Sequence, residues 1–210
     1  MTKKIILWLF LGFCVLVGIN YLSTAVGNAF RLPFSYGDFA RADEPGKSLS
    51  SIDFSIFDKG GVGDQYISQG YGRTPWSYMY LGDWHNGIDI AAVYGAAIYA
   101  PGVGVVLATG NQDDYCPHIA FGRYVVVDDP TNHLILLFAH LGYIAVSPGE
   151  NVKDGTEIGS VGSTGLETGT HLHFSIFEEQ GFSMAPAHGC GPYPQGHDVD
   201  PLNYLGTTYK

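Results

Sequence analysis

Arg123-Tyr124-Val125-Val126-Val127-Asp128, then Asp129-Pro130-Thr131-Asn132, then His133-Leu134-Ile135-Leu136-Leu137-Phe138-Ala139 is the stretch that decides the fold. The first run is β-branched and aromatic, residue types that suit a pleated, packed surface. The second is almost wholly apolar. Between them Asp, Pro, Thr and Asn supply turn chemistry. The pair reads as a β-hairpin with strands at 123–128 and 133–139.

Outward from the hairpin the same grammar repeats. Short apolar or alternating runs at 66–69, 97–100, 103–108, 158–162 and 171–177 are separated by glycine-rich turns. No stretch carries a long helical period. The expectation is an all-β fold, an antiparallel sheet or sandwich of short glycine-punctuated strands. Composition agrees, with 29 Gly, 14 Tyr, 12 Phe and only 14% charged residues. A chain of 210 residues is long enough for one good core.

The chain begins differently. Lys3 and Lys4 precede an apolar run over residues 5–19, and small residues follow from Ser23 to Ala29. Residues 1–29 therefore read as an export signal, with an uncleaved membrane anchor as the rival. Either way the remainder is expected outside the cytoplasm, and any membrane contact runs through this segment. Residues 30–64 read as a linker, with a weakly alternating edge strand at 52–57. The main domain is expected over 65–205, with a tail at 206–210. The net charge of −10 excludes a nucleic-acid partner, which would need a basic face. It also disfavours an anionic lipid surface.

Cys14 lies in the apolar run. Cys116 and Cys190 remain, and outside the cytoplasm such a pair is first a candidate disulfide. Free thiols are a second reading. A Cys2His2 metal site is a third, since Cys116 neighbours His118 and Cys190 neighbours His188.

Three segments hold residues that carry chemistry. In His171-Leu172-His173 two imidazoles stand at i and i+2 on a strand, on one open face, with Leu172 turned into a core. His85-Asn86-Gly87-Ile88-Asp89 offers an imidazole and a carboxylate around a glycine suited to a sharp turn or bulge. His140 ends the apolar strand of the hairpin. Singly, each is more often an ordinary satisfied polar residue. Together they are less ordinary. Asp89, between Ile88 and Ile90, would cost several kcal/mol to bury unless paired or metal-bound.

These segments resemble the lysostaphin-type (LytM-like, M23) metallopeptidases. The resemblance is carried by His85-Asn86-Gly87-Ile88-Asp89-Ile90-Ala91, by Phe138-Ala139-His140-Leu141, and by Gly162-Ser163-Thr164-Gly165 followed by Thr168-Gly169-Thr170-His171-Leu172-His173-Phe174. Shorter matches at 93–100, 122–128, 152–155 and 200–205 extend it over about residues 65–205. The resemblance implies a fold like the duplicated hybrid motif and a zinc endopeptidase of bacterial peptidoglycan. One Zn2+ per chain would be held by His85, Asp89 and His173. His140 and His171 would flank the metal-activated water that hydrolyses the peptide cross-link. Three protein ligands with an open fourth position describe a catalytic zinc. A non-cleaving module that binds cell wall or regulates a hydrolase is the alternative, and an amidase on the same polymer a weaker one. The resemblance specifies no activator protein.

The chain also departs from that pattern. Ser175 stands where the family often has an acidic residue. Residues 110–122 and 181–197 look like insertions, hold both cysteines, and are expected to wall the substrate groove. The aromatics Trp76, Tyr78, Tyr80 and Trp84 are candidates to line it.

Overall fold

The structure, a computed structural model, describes residues 66–186 and 189–205. The export or anchor segment, the linker with its edge strand at 52–57, and residues 206–210 lie outside the described residues. Among the described residues, no helix is long and apolar enough to cross a membrane.

The hairpin is the centre of the molecule. Its strands, β5 (Arg123–Asp129) and β6 (Leu134–Ala139), pair antiparallel with Val125 opposite Phe138 and Val127 opposite Leu136. Their apolar runs are nearly unbroken because both faces are covered. Val125, Val127, Leu134, Leu136 and Phe138 enter the larger core. Tyr124, Val126, Ile135, Leu137 and Ala139 enter a smaller one on the other face. The turn is held by Asp129, whose Oδ1 accepts the N–H groups of Thr131 and Asn132 at 3.1 and 3.2 Å. His133 takes φ 55° to close that turn, so the second strand starts at Leu134, one residue later than the sequence suggests.

Around the hairpin a twisted antiparallel sheet is built from β1 (Tyr66–Gln69), β2 (Ile88–Ala91), β4 (Gly104–Asn111), β8 (Asn151–Val152), β10 (His171–Glu178) and β13 (Asp198–Val199). Its order is β1-β2-β10-β6-β5-β4-β8, with β13 paired to the far end of β10. A three-stranded sheet of β3 (Ala97–Tyr99), β9 (Glu157–Val161) and β7 (Leu141–Ile144) contributes Ile98, Leu141, Ile158 and Val161 to the larger core. The third sheet is a hairpin, β11 (Ser183–Pro186) with β12 (Pro192–Gln195). Its Met184 and Tyr193 pack on the smaller core, so much of the 181–197 segment is a structural cover for the sheet.

Strand β10 lies between β2 and β6 and so meets both other chemistry-bearing segments. Leu172, Phe174 and Ile176 point into the larger core. His171, His173 and Ser175 take the opposite face by the two-residue alternation.

Candidate metal centre

Register places the site. His173 of β10 stands directly opposite Asp89 of β2 on one side and Ala139 of β6 on the other. Asp89 shares the face of His173 because Ile88 and Ile90 occupy the core face. His85 arrives just before β2, its backbone paired to Gly72 by hydrogen bonds of 2.8 and 3.0 Å. Gly87 is the hinge between His85 and Asp89, for a reason other than a turn. A Cβ there would collide with the Phe174 carbonyl and reach within 2.6 Å of Ser175 Oγ. The segment carries both side chains because it lies flat against β10.

Three donor atoms converge. His85 Nε2 is 3.2 Å from Asp89 Oδ1 and 3.0 Å from His173 Nδ1, which is 2.9 Å from Asp89 Oδ1. The outward nitrogens explain why these atoms face inward. His85 Nδ1–H donates to the Gly70 carbonyl at 2.7 Å. A carbonyl can only accept, so the proton sits on Nδ1 and the lone pair on Nε2. His173 Nε2 lies 2.7 Å from Ser175 Oγ, which accepts its N–H in the tautomer that frees Nδ1. Two lone pairs and a carboxylate oxygen then meet in a buried pocket. A metal cation satisfies all three at once; without one, a proton on His173 Nδ1 can bridge to Asp89 Oδ1 at 2.9 Å. Tetrahedral donors at about 2.0–2.1 Å from zinc are about 3.3 Å apart, close to the spacing found here.

With no metal bound, a proton on an inward imidazole nitrogen takes its place. Burial opposes the charge on Asp89, but hydrogen bonds to His173 and His85 outweigh it and hold the carboxyl below its ordinary range. Burial holds the His173 imidazole below its ordinary value, against the pull of Asp89.

His140 and His171 sit together beside these donors, with ring centroids 4.8 Å apart. His171 Nε2 is 3.5 Å from Asp89 Oδ1. Each has its Nδ1–H tied to a backbone carbonyl, His140 to Thr164 at 2.6 Å and His171 to Gly169 at 2.7 Å. Both therefore keep a free lone pair on Nε2. Burial, then the neighbouring His171, pushes His140 down to about 3, so it is neutral at physiological pH. Its backbone sits at φ 60°, a left-handed conformation that swings the side chain out of the strand end.

The sequence reading placed the two imidazoles of β10 on an open face, and the structure corrects this. Residues 112–122 lie over the sheet, and Phe121 packs against His173 at 5.5 Å between ring centroids. His173 is 4% exposed. The aromatic cluster also divides. Tyr80 stacks on His85 with its ring 5.2 Å away, and burial with the Asp89 charge raises its phenol. Trp84 is pinned instead to the fold, donating to Asp198 at 2.8 Å and packing edge-on against Tyr71. Trp76 and Tyr78 remain exposed side by side. Cys116 and Cys190 are joined by a disulfide, Cα to Cα 5.1 Å, between the 112–122 loop and the β11–β12 connection. Ser175 and the carbonyls of Gly70, Gly169 and Thr164 were not singled out as partners from sequence. Only Ser175 left a signal, as the next residue on the face of His171 and His173.

A buried His-Asp-His donor set beside two further imidazoles, on an all-β fold, is an arrangement that can hold a metal ion. The profile of peptidase family M23 matches residues 83–186, and the chain belongs to that family. The peptidoglycan DD-endopeptidase ShyA of Vibrio cholerae is 38% identical over 92 residues, 44% of this chain and 20% of that protein. The DD-carboxypeptidase/endopeptidase Mpg of Neisseria meningitidis is 34% identical over 173 residues, 80% of this chain and 36% of that protein. The chain thus spans a minor part of both curated relatives. Among solved structures, the catalytic domain of the prophage-encoded M23 protein EnpA from Enterococcus faecalis superposes with TM-score 0.50 at 26% identity. That match covers 70% of this chain and 95% of that one. The catalytic domain of lysostaphin from Staphylococcus simulans shares the fold, with TM-score 0.52 at 24% identity over 69% of this chain and 92% of that one.

Proposed function

We propose that the chain is a zinc endopeptidase that hydrolyses the peptide cross-links of peptidoglycan, acting in the cell envelope. The observation that carries the reading is the convergence of His85 Nε2, Asp89 Oδ1 and His173 Nδ1 beside two tautomer-fixed imidazoles. His85, Asp89 and His173 hold the metal, which supplies Lewis acidity and brings the pKa of water down from about 15.7 to about 7. The remaining chemistry belongs to the chain. His140 and His171, each with a free Nε2, orient the attacking water, take its proton and return a proton to the leaving amine. Asp89 offsets part of the metal charge. Exposed Trp76 and Tyr78 offer flat apolar surface to substrate. The name of ShyA supports peptidoglycan as the substrate class, and that of Mpg supports endopeptidase activity. The N-terminal segment, with Lys3 and Lys4 ahead of an apolar run, supports export or anchoring. A non-cleaving module has no use for ligands and proton-transfer groups together, so the binding alternative is disfavoured.

The test uses the purified chain. Zinc content is measured by mass spectrometry, and new amine ends are counted after incubation with peptidoglycan. About one zinc per chain, cleavage abolished by chelator, and a residual rate about 10²- to 10⁴-fold below wild type in His140→Ala are expected. Bound zinc without any new amine ends refutes the peptidase reading.

A further inference from the structure

Residues 112–122 are folded around His140 by contacts that the metal centre does not require. The Phe121 carbonyl accepts the backbone N–H of His140 at 2.9 Å. Buried Gln112 braces Phe121, its Oε1 accepting the Phe121 N–H at 2.8 Å while its Nε2 donates to Pro192 at 2.9 Å. Beside it, Asp113 Oδ2 accepts the N–H of Gly165 at 2.9 Å. That N–H belongs to the same peptide group as the Thr164 carbonyl, which accepts Nδ1–H of His140 at 2.6 Å. One rigid peptide thus carries a carboxylate on its donor end and an imidazole on its acceptor end. A peptide N–H that donates to an anion makes its own carbonyl a stronger acceptor. The packing is close, since a Cβ on Gly165, at φ 76°, would strike the Ala120 carbonyl. The Cys116–Cys190 disulfide ties this loop to the β11–β12 connection.

We infer that Asp113 is a positioning residue that holds the tautomer and orientation of His140 through the Thr164–Gly165 peptide, forming a carboxylate–peptide–imidazole relay. Asp113 touches neither substrate nor metal. It strengthens the acceptor that keeps the proton on Nδ1, and so keeps the lone pair on Nε2 turned to the reaction. This rests on the proposed role of His140.

The test is Asp113→Ala and Asp113→Asn, each alone and with His140→Ala, with the 15N shifts of the His140 imidazole as a readout independent of turnover. Asp113→Ala is expected to lower kcat by about 10- to 100-fold, the usual effect of losing such a supporting group, with KM and zinc content unchanged. Asp113→Asn keeps one acceptor oxygen and should fall between. In the His140→Ala background neither change should matter further, because neighbours acting through one group are non-additive. The 15N shifts should report Nδ1–H in the wild type and mixed tautomers in Asp113→Ala. If Asp113→Ala does not fold, Asp113→Asn carries the same comparison. Additive losses, or an unchanged tautomer, overturn the relay. A wild type that cuts nothing refutes the peptidase reading instead, and the shifts still decide the relay.

Discussion

Ser175→Ala tests the metal centre at its least obvious point. Ser175 is 0% exposed and follows His173 by two residues on β10. Its Oγ is the hydrogen-bond partner found for His173 Nε2, at 2.7 Å. Water cannot replace a partner removed from so closed a position. In Ser175→Ala the metal-binding tautomer therefore leaves a buried N–H unsatisfied, which costs about 1–3 kcal/mol. The metal-free protein escapes by moving the proton to Nδ1, where Asp89 Oδ1 waits at 2.9 Å. Metal binding must then reverse that move, so the whole penalty falls on affinity. The expected loss is about 10- to 100-fold in zinc affinity, or about 1.4–2.7 kcal/mol. Competition against a chelating dye measures it, and excess zinc should restore much of the turnover. An affinity within about twofold of wild type would show that Ser175 does not set the tautomer, and would refute the reasoning.

The other predictions address the division of labour, the packing and the charge. His173→Ala should abolish stoichiometric zinc, whereas His171→Ala should keep most of it and lose turnover; equal metal loss in both would remove the distinction. Gly87→Ala forces a methyl group against the Phe174 carbonyl and Ser175 Oγ. It should destabilise the fold by about 1–3 kcal/mol or more and weaken zinc binding, as read by denaturant unfolding and metal titration. For acid stability, His140 is held at about 3 in the folded chain, below its ordinary value, so the unfolded chain takes up the proton first. Stability of the metal-free protein should then fall as pH drops below about 6.5, at about 1.4 kcal/mol per pH unit for this group. His173 is shifted the same way. Asp89 adds a loss at lower pH, because its depressed carboxyl stabilises the fold only while ionised. Thermal unfolding between pH 7.5 and 5 measures the slope, and a flat profile would contradict neutral burial of His140.

How far the sequence reaches can be judged residue by residue. The hairpin at 123–139 was legible because apolar run, turn chemistry and apolar run follow within one short stretch. So was the pairing of His171 with His173 on one face, since strand alternation is local. The five candidate side chains came from the ordered set of motifs, each with its own residues, and the structure brings them together. Ser175 read as a departure from a family pattern, and only its distance to His173 showed what it does. Gly87 read as a turn residue, while the actual reason is the backbone of β10 lying against it.

By itself the sequence determined the central hairpin, the longer strands around it and which residue types could bind a metal or carry a proton, because these follow from neighbours one to four positions apart; the short strands β2, β7, β8, β11, β12 and β13 came only from the structure. Tertiary structure decided what those groups are. Register between β2 and β10 brought Asp89 beside His173, and a loop 112–122 folded over the sheet turned an open face into a buried one. Carbonyls from Gly70, Thr164 and Gly169 chose which nitrogen of His85, His140 and His171 bears its proton. That choice is made by atoms far apart in the chain, and the energy of a buried, directed hydrogen bond has no signature in residue order.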